Sequence, residues 1–133
     1  MDDLARFTDE RTIVVASEPD PSDLNHEPLA ENLALLREAC DLRGKPLRIA
    51  TLPMPAPVWF DNQRLPASYA NFYIANGIVL VPTFNDPNDR VALNTLQELF
   101  PSHRVTGICC TDLVLGLGTL HCMTQQQPSA PRR

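Results

Sequence analysis

Two halves of this chain run through the same order of elements, and that internal repeat limits the folds open to it. In the first half, residues 2–7 and Thr12-Ile13-Val14-Val15-Ala16 read as two strands joined by the polar turn Thr8-Asp9-Glu10-Arg11. Pro19-Asp20-Pro21-Ser22-Asp23 breaks the second strand. A helix is expected from Glu27, with Pro28 suited to its first turn, Leu29, Leu33, Leu36 and Cys40 at helical spacing, and Gly44 as its stop. Residues 47–52 form the third expected strand. Pro53, Pro55 and Pro57 then predict an extended, unpaired segment through to Trp59.

After Pro66 the order returns. Asn71-Phe72-Tyr73-Ile74 reads as a strand, Asn76-Gly77 as a two-residue hairpin turn, and Ile78-Val79-Leu80-Val81 as the return strand. Asp86-Pro87-Asn88-Asp89 opens a helix through Val91, Leu93, Leu96 and Leu99, and residues 104–109 supply the closing strand. Ala5-Arg6-Phe7 aligns with Ala70-Asn71-Phe72, and Asp20-Pro21-Ser22-Asp23 with Asp86-Pro87-Asn88-Asp89. Each strand-strand-helix-strand unit is too small to bury its apolar face alone, so the two must share a core. The fold class read from this is α/β, with units at about residues 2–65 and 66–110, a further segment at 111–128, and a disordered tail at 129–133.

The totals narrow the function classes. With 133 residues, 44% hydrophobic and 20% charged, the chain is ordinary for one soluble globular domain. Net charge is −5 and the Lys and Arg residues are scattered, which argues against a nucleic-acid surface; Arg132-Arg133 reads as a solvated tail. No apolar run approaches the roughly 18 residues of a membrane span. Met1-Asp2-Asp3 has none of the basic and apolar regions of a signal peptide. The four cysteines, Cys40, Cys109, Cys110 and Cys122, lack C-x-x-C spacing and read as reduced thiols in a cytoplasmic protein. Cys109-Cys110, without further ligands at metal spacing, reads as a pair of buried small hydrophobes. Trp59 and Phe60 are expected to anchor the proline-rich segment to the core.

The chemistry concentrates near the C-terminus. Leu113-Val114-Leu115-Gly116-Leu117-Gly118-Thr119 leads into Leu120-His121-Cys122-Met123-Thr124, and three glutamines follow. Cys122 at a strand-like end is open to two readings, a core residue or a reactive thiol. Gly116 and Gly118 add weight to the second, because glycine lets the backbone turn sharply and approach a bound group, but on the residues alone both readings stand. In an extended segment adjacent side chains point to opposite faces, so His121 should face away from Cys122 and play a structural, hydrogen-bonded role. His26 and His103, in polar connections, read as surface residues.

Gly116-x-Gly118-x-x-His121-Cys122-x-Thr124-Gln125-Gln126, together with Leu65-Pro66-Ala67-Ser68-Tyr69-Ala70-Asn71-Phe72-Tyr73-Ile74-Ala75-Asn76-Gly77, resembles the C-terminal part of agmatine deiminases, in the peptidylarginine-deiminase superfamily. The resemblance runs from Asp2 to Pro128. It implies a partial α/β propeller (pentein): two ββαβ units and the start of another carrying Cys122, from a five-fold ring with its active site in the axial channel. It implies hydrolysis of agmatine to N-carbamoylputrescine and ammonia, without metal or cofactor, through a covalent adduct on Cys122. Asp2-Asp3 matches the end of the family's Gly-His-x-Asp-Asp motif, with Met1 at the x position. Asp2 then corresponds to the carboxylate that binds the guanidinium, and the shuttle histidine would precede residue 1. Where many members have Gly-Gly-Gly-Asn before the His-Cys pair, this chain has Gly116-Leu117-Gly118-Thr119. Two other readings stand beside the enzyme: a non-enzymatic interaction module, and half of a split deiminase completed by an N-terminal partner. Either would pair through open strand edges.

Overall fold

The computed structural model describes residues 2–127, so the expected tail at 129–133 lies outside the described residues. Both halves fold with one topology. In the first, β1 (Ala5–Phe7) pairs antiparallel with β2 (Thr12–Ser17), α1 (His26–Glu38) crosses over, and β3 (Arg48–Pro53) returns parallel to β2. A short hairpin follows, β4 (Trp59–Phe60) with β5 (Gln63–Arg64). The second half repeats the first: β6 (Tyr73–Ala75) antiparallel to β7 (Ile78–Thr83), then α2 (Asn88–Leu99), then β8 (Arg104–Cys109) parallel to β7. A parallel return needs a long crossover, and each helix supplies it.

The central strands carry the core. In β7, Val79, Val81 and Pro82 are buried while Leu80 is only partly covered, whereas Ile13, Val14, Val15 and Ala16 of β2 are buried without alternation. Continuous apolar runs of this kind belong to strands covered on both faces. The core joins Val14 and Leu52 from the first unit to Phe72, Val79, Val81 and Leu96 from the second, with Tyr69 and Val114 from the connections. Helix α2 packs on β8 of its own sheet and also on β3 of the other. The second helix therefore closes the first unit, as expected of repeats that cannot stand alone. The edge strands β1, β3, β6 and β8 are only partly covered. Among the described residues no helix is long and apolar enough to cross a membrane.

The structure departs from the sequence reading at five places. Helix α1 ends at Glu38, not near Gly44: Ala39 is extended and Cys40 pairs with Pro46. Asp41 Oδ1 there accepts the backbone N–H groups of Arg43 and Lys45, a local turn that competes with helix. Gly44, at φ +72°, serves that turn. Pro53 pairs within β3, and the segment after it forms the β4–β5 hairpin. Its turn residues Asp61 and Asn62 both have positive φ, the arrangement favoured in two-residue hairpins. Trp59 and Phe60 are exposed there and anchor nothing. Cys109 is exposed, and only Cys110 is buried. Residues 113–116 form a 3₁₀ turn, so the run leading to Cys122 does not present it at a strand-like end.

The fifth departure concerns the repeat alignment, which shifts before the first strand. Arg6 lies opposite Val14, and Tyr73 lies opposite Leu80, the equivalent of Val14. Arg6 thus corresponds to Tyr73, and Asn71 falls ahead of its strand, outside the ladder. That displacement creates the site.

Candidate active site

Three segments meet around Asn71: residues 2–6, 66–72 and 117–123. Asn71 is fully buried, so both ends of its amide must find partners. Its Oδ1 accepts from the Thr119 hydroxyl (2.9 Å) and from the backbone N–H groups of His121 (3.0 Å), Thr119 (3.3 Å) and Cys122 (3.4 Å). Its Nδ2 donates towards Asp3 Oδ1 (2.8 Å), Cys122 Sγ (3.0 Å) and Asp2 Oδ2 (3.2 Å). Donors surround one end and acceptors the other, which fixes the orientation of the amide.

The segment carrying Cys122 is a turn, and here the expectation for His121 fails. Met123 N donates to Thr119 O, Thr124 N to His121 O, and the Thr124 hydroxyl to Leu120 O. The alternation of an extended strand is lost. His121 and Cys122 converge on one carboxylate oxygen, Asp2 Oδ2, with His121 Nδ1 at 2.8 Å and Cys122 Sγ at 3.3 Å. His121 is hydrogen-bonded as expected, but towards the thiol's partner rather than away from it.

The two glycines differ in what they do. A Cβ on Gly118 would lie 2.6 Å from Cys122 Cβ and 2.7 Å from its sulfur, so the bare backbone there admits the cysteine side chain itself. Gly116 has no neighbour within 4 Å of such a Cβ and keeps an ordinary φ. The sharp bend falls instead on Leu117, at φ +65°. Left-handed backbone at a leucine costs roughly 1–2 kcal/mol.

The N-terminal segment is tied down on both sides. Ser68 Oγ donates to Asp3 O (2.7 Å), and the Arg6 guanidinium donates to Phe72 O (2.8 Å) and Ala70 O (3.4 Å) while lying over the Phe72 ring. The hydrogen bond from His121 holds the Asp2 carboxyl well below the usual carboxylate range; partial burial opposes it and the Cys122 thiol assists it. Asp3 shifts upward, first because it is half-buried and then because Asp2 is beside it. Burial likewise lowers Arg6.

Asp2, Asp3 and Cys122 have ligand atoms within 4.8 Å of one another. All three already point at the N–H₂ of Asn71, a donor, so the cluster is built to receive N–H groups. The Cys122 side chain is exposed. Beyond it, Gln125, Gln126 and Gln127 face Tyr73, Ile74, Ala75 and Asn76 across an open groove of about 830 Å³, which the site residues do not line. His26 meets Glu18 O, and His103 meets Ser102 and the Phe100 ring. Sequence reasoning placed Cys122 and Asp2 but passed over Asn71, Asp3 and Arg6. The signal available was an amide set between Ala70 and Phe72 in an otherwise apolar run.

Residues 1–128 match the family described as Porphyromonas-type peptidyl-arginine deiminase. The chain belongs to that family. A Mycoplasma capricolum protein provisionally named agmatine deiminase is 31% identical over 97% of this deiminase-family chain, which spans 40% of that relative's length. A crystal structure of a provisionally assigned arginine deiminase from Porphyromonas gingivalis superposes with a TM-score of 0.93 at 47% identity, covering 96% of this chain and 38% of that one. The agmatine deiminase of C. jejuni superposes at 0.89 with 31% identity, covering 98% and 39%. A cysteine-to-serine form of that enzyme, with substrate bound, superposes at 0.82 with 32% identity, covering 90% and 34%. This chain corresponds to a C-terminal portion of the deiminase family, whose members are hydrolases of amidino C–N bonds.

Proposed function

We propose that Asp2, Asn71 and Cys122 form the guanidine-binding and nucleophilic part of an agmatine deiminase-type active site, converting agmatine and water to N-carbamoylputrescine and ammonia. The observation that carries this reading is one geometry: an ionised carboxylate oxygen 3.3 Å from an exposed thiol, both held by a buried amide. A guanidinium paired with Asp2 would bring its carbon over the Cys122 sulfur. Its positive charge also favours the thiolate, the form that attacks.

In the proposed cycle the Cys122 thiolate bonds to the guanidinium carbon. The C–N bond to one terminal nitrogen breaks, and that nitrogen leaves as ammonia after taking a proton. Water then attacks the amidino carbon and the C–S bond breaks. The oxygen stays in the carbamoyl product and the thiol is restored. A cytoplasmic setting accords with the four cysteines, all of them free, and a place in putrescine formation follows only from the proposed product.

The Gly-His pair of the family's motif is not among residues 1–133. General acid-base help of this kind is worth roughly 10²–10⁴-fold in rate. The polypeptide of residues 1–133 should therefore turn agmatine over very slowly alone, and faster when the N-terminal part of a family member is supplied. The partly uncovered edge strands suit either alternative; the Asp2 carboxylate beside the exposed Cys122 thiol is what favours the split-enzyme reading. Ammonia release decides it: activity that needs the added part and vanishes in Cys122→Ala supports the proposal. Equal ammonia release from wild type and Cys122→Ala rejects it, and arginine and a peptidyl arginine run in parallel rank the substrates.

A further inference from the structure

We infer that His121 is a positioning residue for the guanidinium-binding carboxylate: it fixes Asp2 so that a cation paired with it is aimed at the Cys122 sulfur. The inference rests on the guanidine-site reading above. An ionised carboxylate only accepts hydrogen bonds, so the His121 nitrogen 2.8 Å from Asp2 Oδ2 must carry its proton, which sets Nδ1 as the donor. Of the side-chain donors His121, Asn71 and Cys122 on that oxygen, His121 is the nearest; Asn71 stands at 3.2 Å and the thiol at 3.3 Å.

The backbone of His121 is equally constrained. Its N–H lies between Asn71 O (3.1 Å) and Asn71 Oδ1 (3.0 Å), and the turn at 120–123 places the imidazole and the sulfur on the same side. Asp2 otherwise belongs to a segment near the chain's first residue, held through Asp3 O and Asn71. Imidazole and amide both bear on where its carboxylate sits. Asn71 also holds the sulfur and the turn, whereas the His121 imidazole nitrogen Nδ1 bonds to Asp2.

The test compares two alkylating probes of nearly equal shape on the 133-residue chain, cationic 2-chloroacetamidine and neutral 2-chloroacetamide. In each, the Cys122 sulfur bonds to the methylene carbon and chloride leaves. The ratio of the two labelling rates at Cys122, read by peptide mass spectrometry, measures how well Asp2 steers a cation and cancels changes in intrinsic thiol reactivity. Wild type should favour the cationic probe, and Asp2→Asn should lose the preference. His121→Phe should lower the ratio about tenfold, the scale of one hydrogen bond to a charged group. His121→Asn, whose amide nitrogen reaches the place of Nδ1, should restore most of it.

A merely structural histidine would slow both probes together and leave the ratio alone. Should the phenylalanine variant not fold, His121→Gln serves in its place, since its longer amide misses the Nδ1 position and should lower the ratio where His121→Asn keeps it. An unchanged ratio in the Phe or Gln variant overturns the assignment of His121 while leaving the guanidine site intact. Absence of any cationic preference in wild type overturns the guanidine-site reading itself.

Discussion

Asn71 holds the Asp2 and Asp3 carboxylates, the Cys122 thiol and the Cys122-bearing turn with one side chain, and it is buried completely. Replacing it with leucine removes one shared hydrogen-bond partner from the acids, the thiol, the Thr119 hydroxyl and the backbone N–H groups of the turn. The expected loss is about 2–4 kcal/mol, at the upper end for buried polar groups because several lose a partner together. Urea unfolding checks this as a fall in the midpoint at constant m. Asp3 behaves oppositely. Its pKa is raised in the fold, so its ionised form costs stability at neutral pH and the cost fades as pH falls. Asp3→Asn keeps an oxygen for Asn71 and should raise the urea midpoint at pH 7, with the gain disappearing in acid. Asp2 has the reverse sign: its lowered pKa gives stability that is present above about pH 4 and lost only in strong acid. The proposed pair, Asp2 and Cys122, was legible only through the resemblance of their motifs to those of the deiminase family. Asn71 was not, because its side-chain partners lie 48 to 51 residues further along the chain or 68 to 69 residues back, and local periodicity assigns it to a strand.

At the scale of elements, the apolar run of β2 and the Asn76-Gly77 turn were readable, because burial on both faces and a positive φ at Gly77 each leave a local mark. The end of α1 was not, since helical spacing continued into Cys40 while the Asp41 side chain opened a turn of its own. The loop before the thiol gives a direct contrast. Leu117→Gly relieves a left-handed leucine and should raise stability by about 1 kcal/mol, read as a higher thermal midpoint. Gly118→Ala forces a methyl into the Cys122 side chain, so it should displace the thiol and slow its alkylation while costing about 1–3 kcal/mol. At Gly107 the same change would meet Thr83 Cγ2 at 2.9 Å and Leu93 Cδ1 at 3.3 Å. It presses on the contact between α2 and β8 and leaves the site alone.

At the scale of the whole molecule, two units share one core and leave their outer strands partly uncovered, while the chain spans about 40% of the curated relatives it matches. The fold was legible at this level because a repeated order of elements fixes topology before any contact is known. Leu24, Leu35, Leu42, Trp59 and Phe60 stand exposed, and no single local motif marks them as such. What the whole assembly asks of the site is that one sulfur differ from the others. Cys109 is a demanding comparison, being exposed and having its own pKa lowered by hydrogen bonding to Thr111. Competitive labelling of the intact chain with 2-chloroacetamidine, followed by peptide mapping of all four cysteines, measures that difference. The guanidine-site account predicts that Cys122 is modified first and that added agmatine protects it while Cys40 and Cys109 are unaffected. Labelling of Cys122 no faster than Cys109, and indifferent to agmatine, would contradict it.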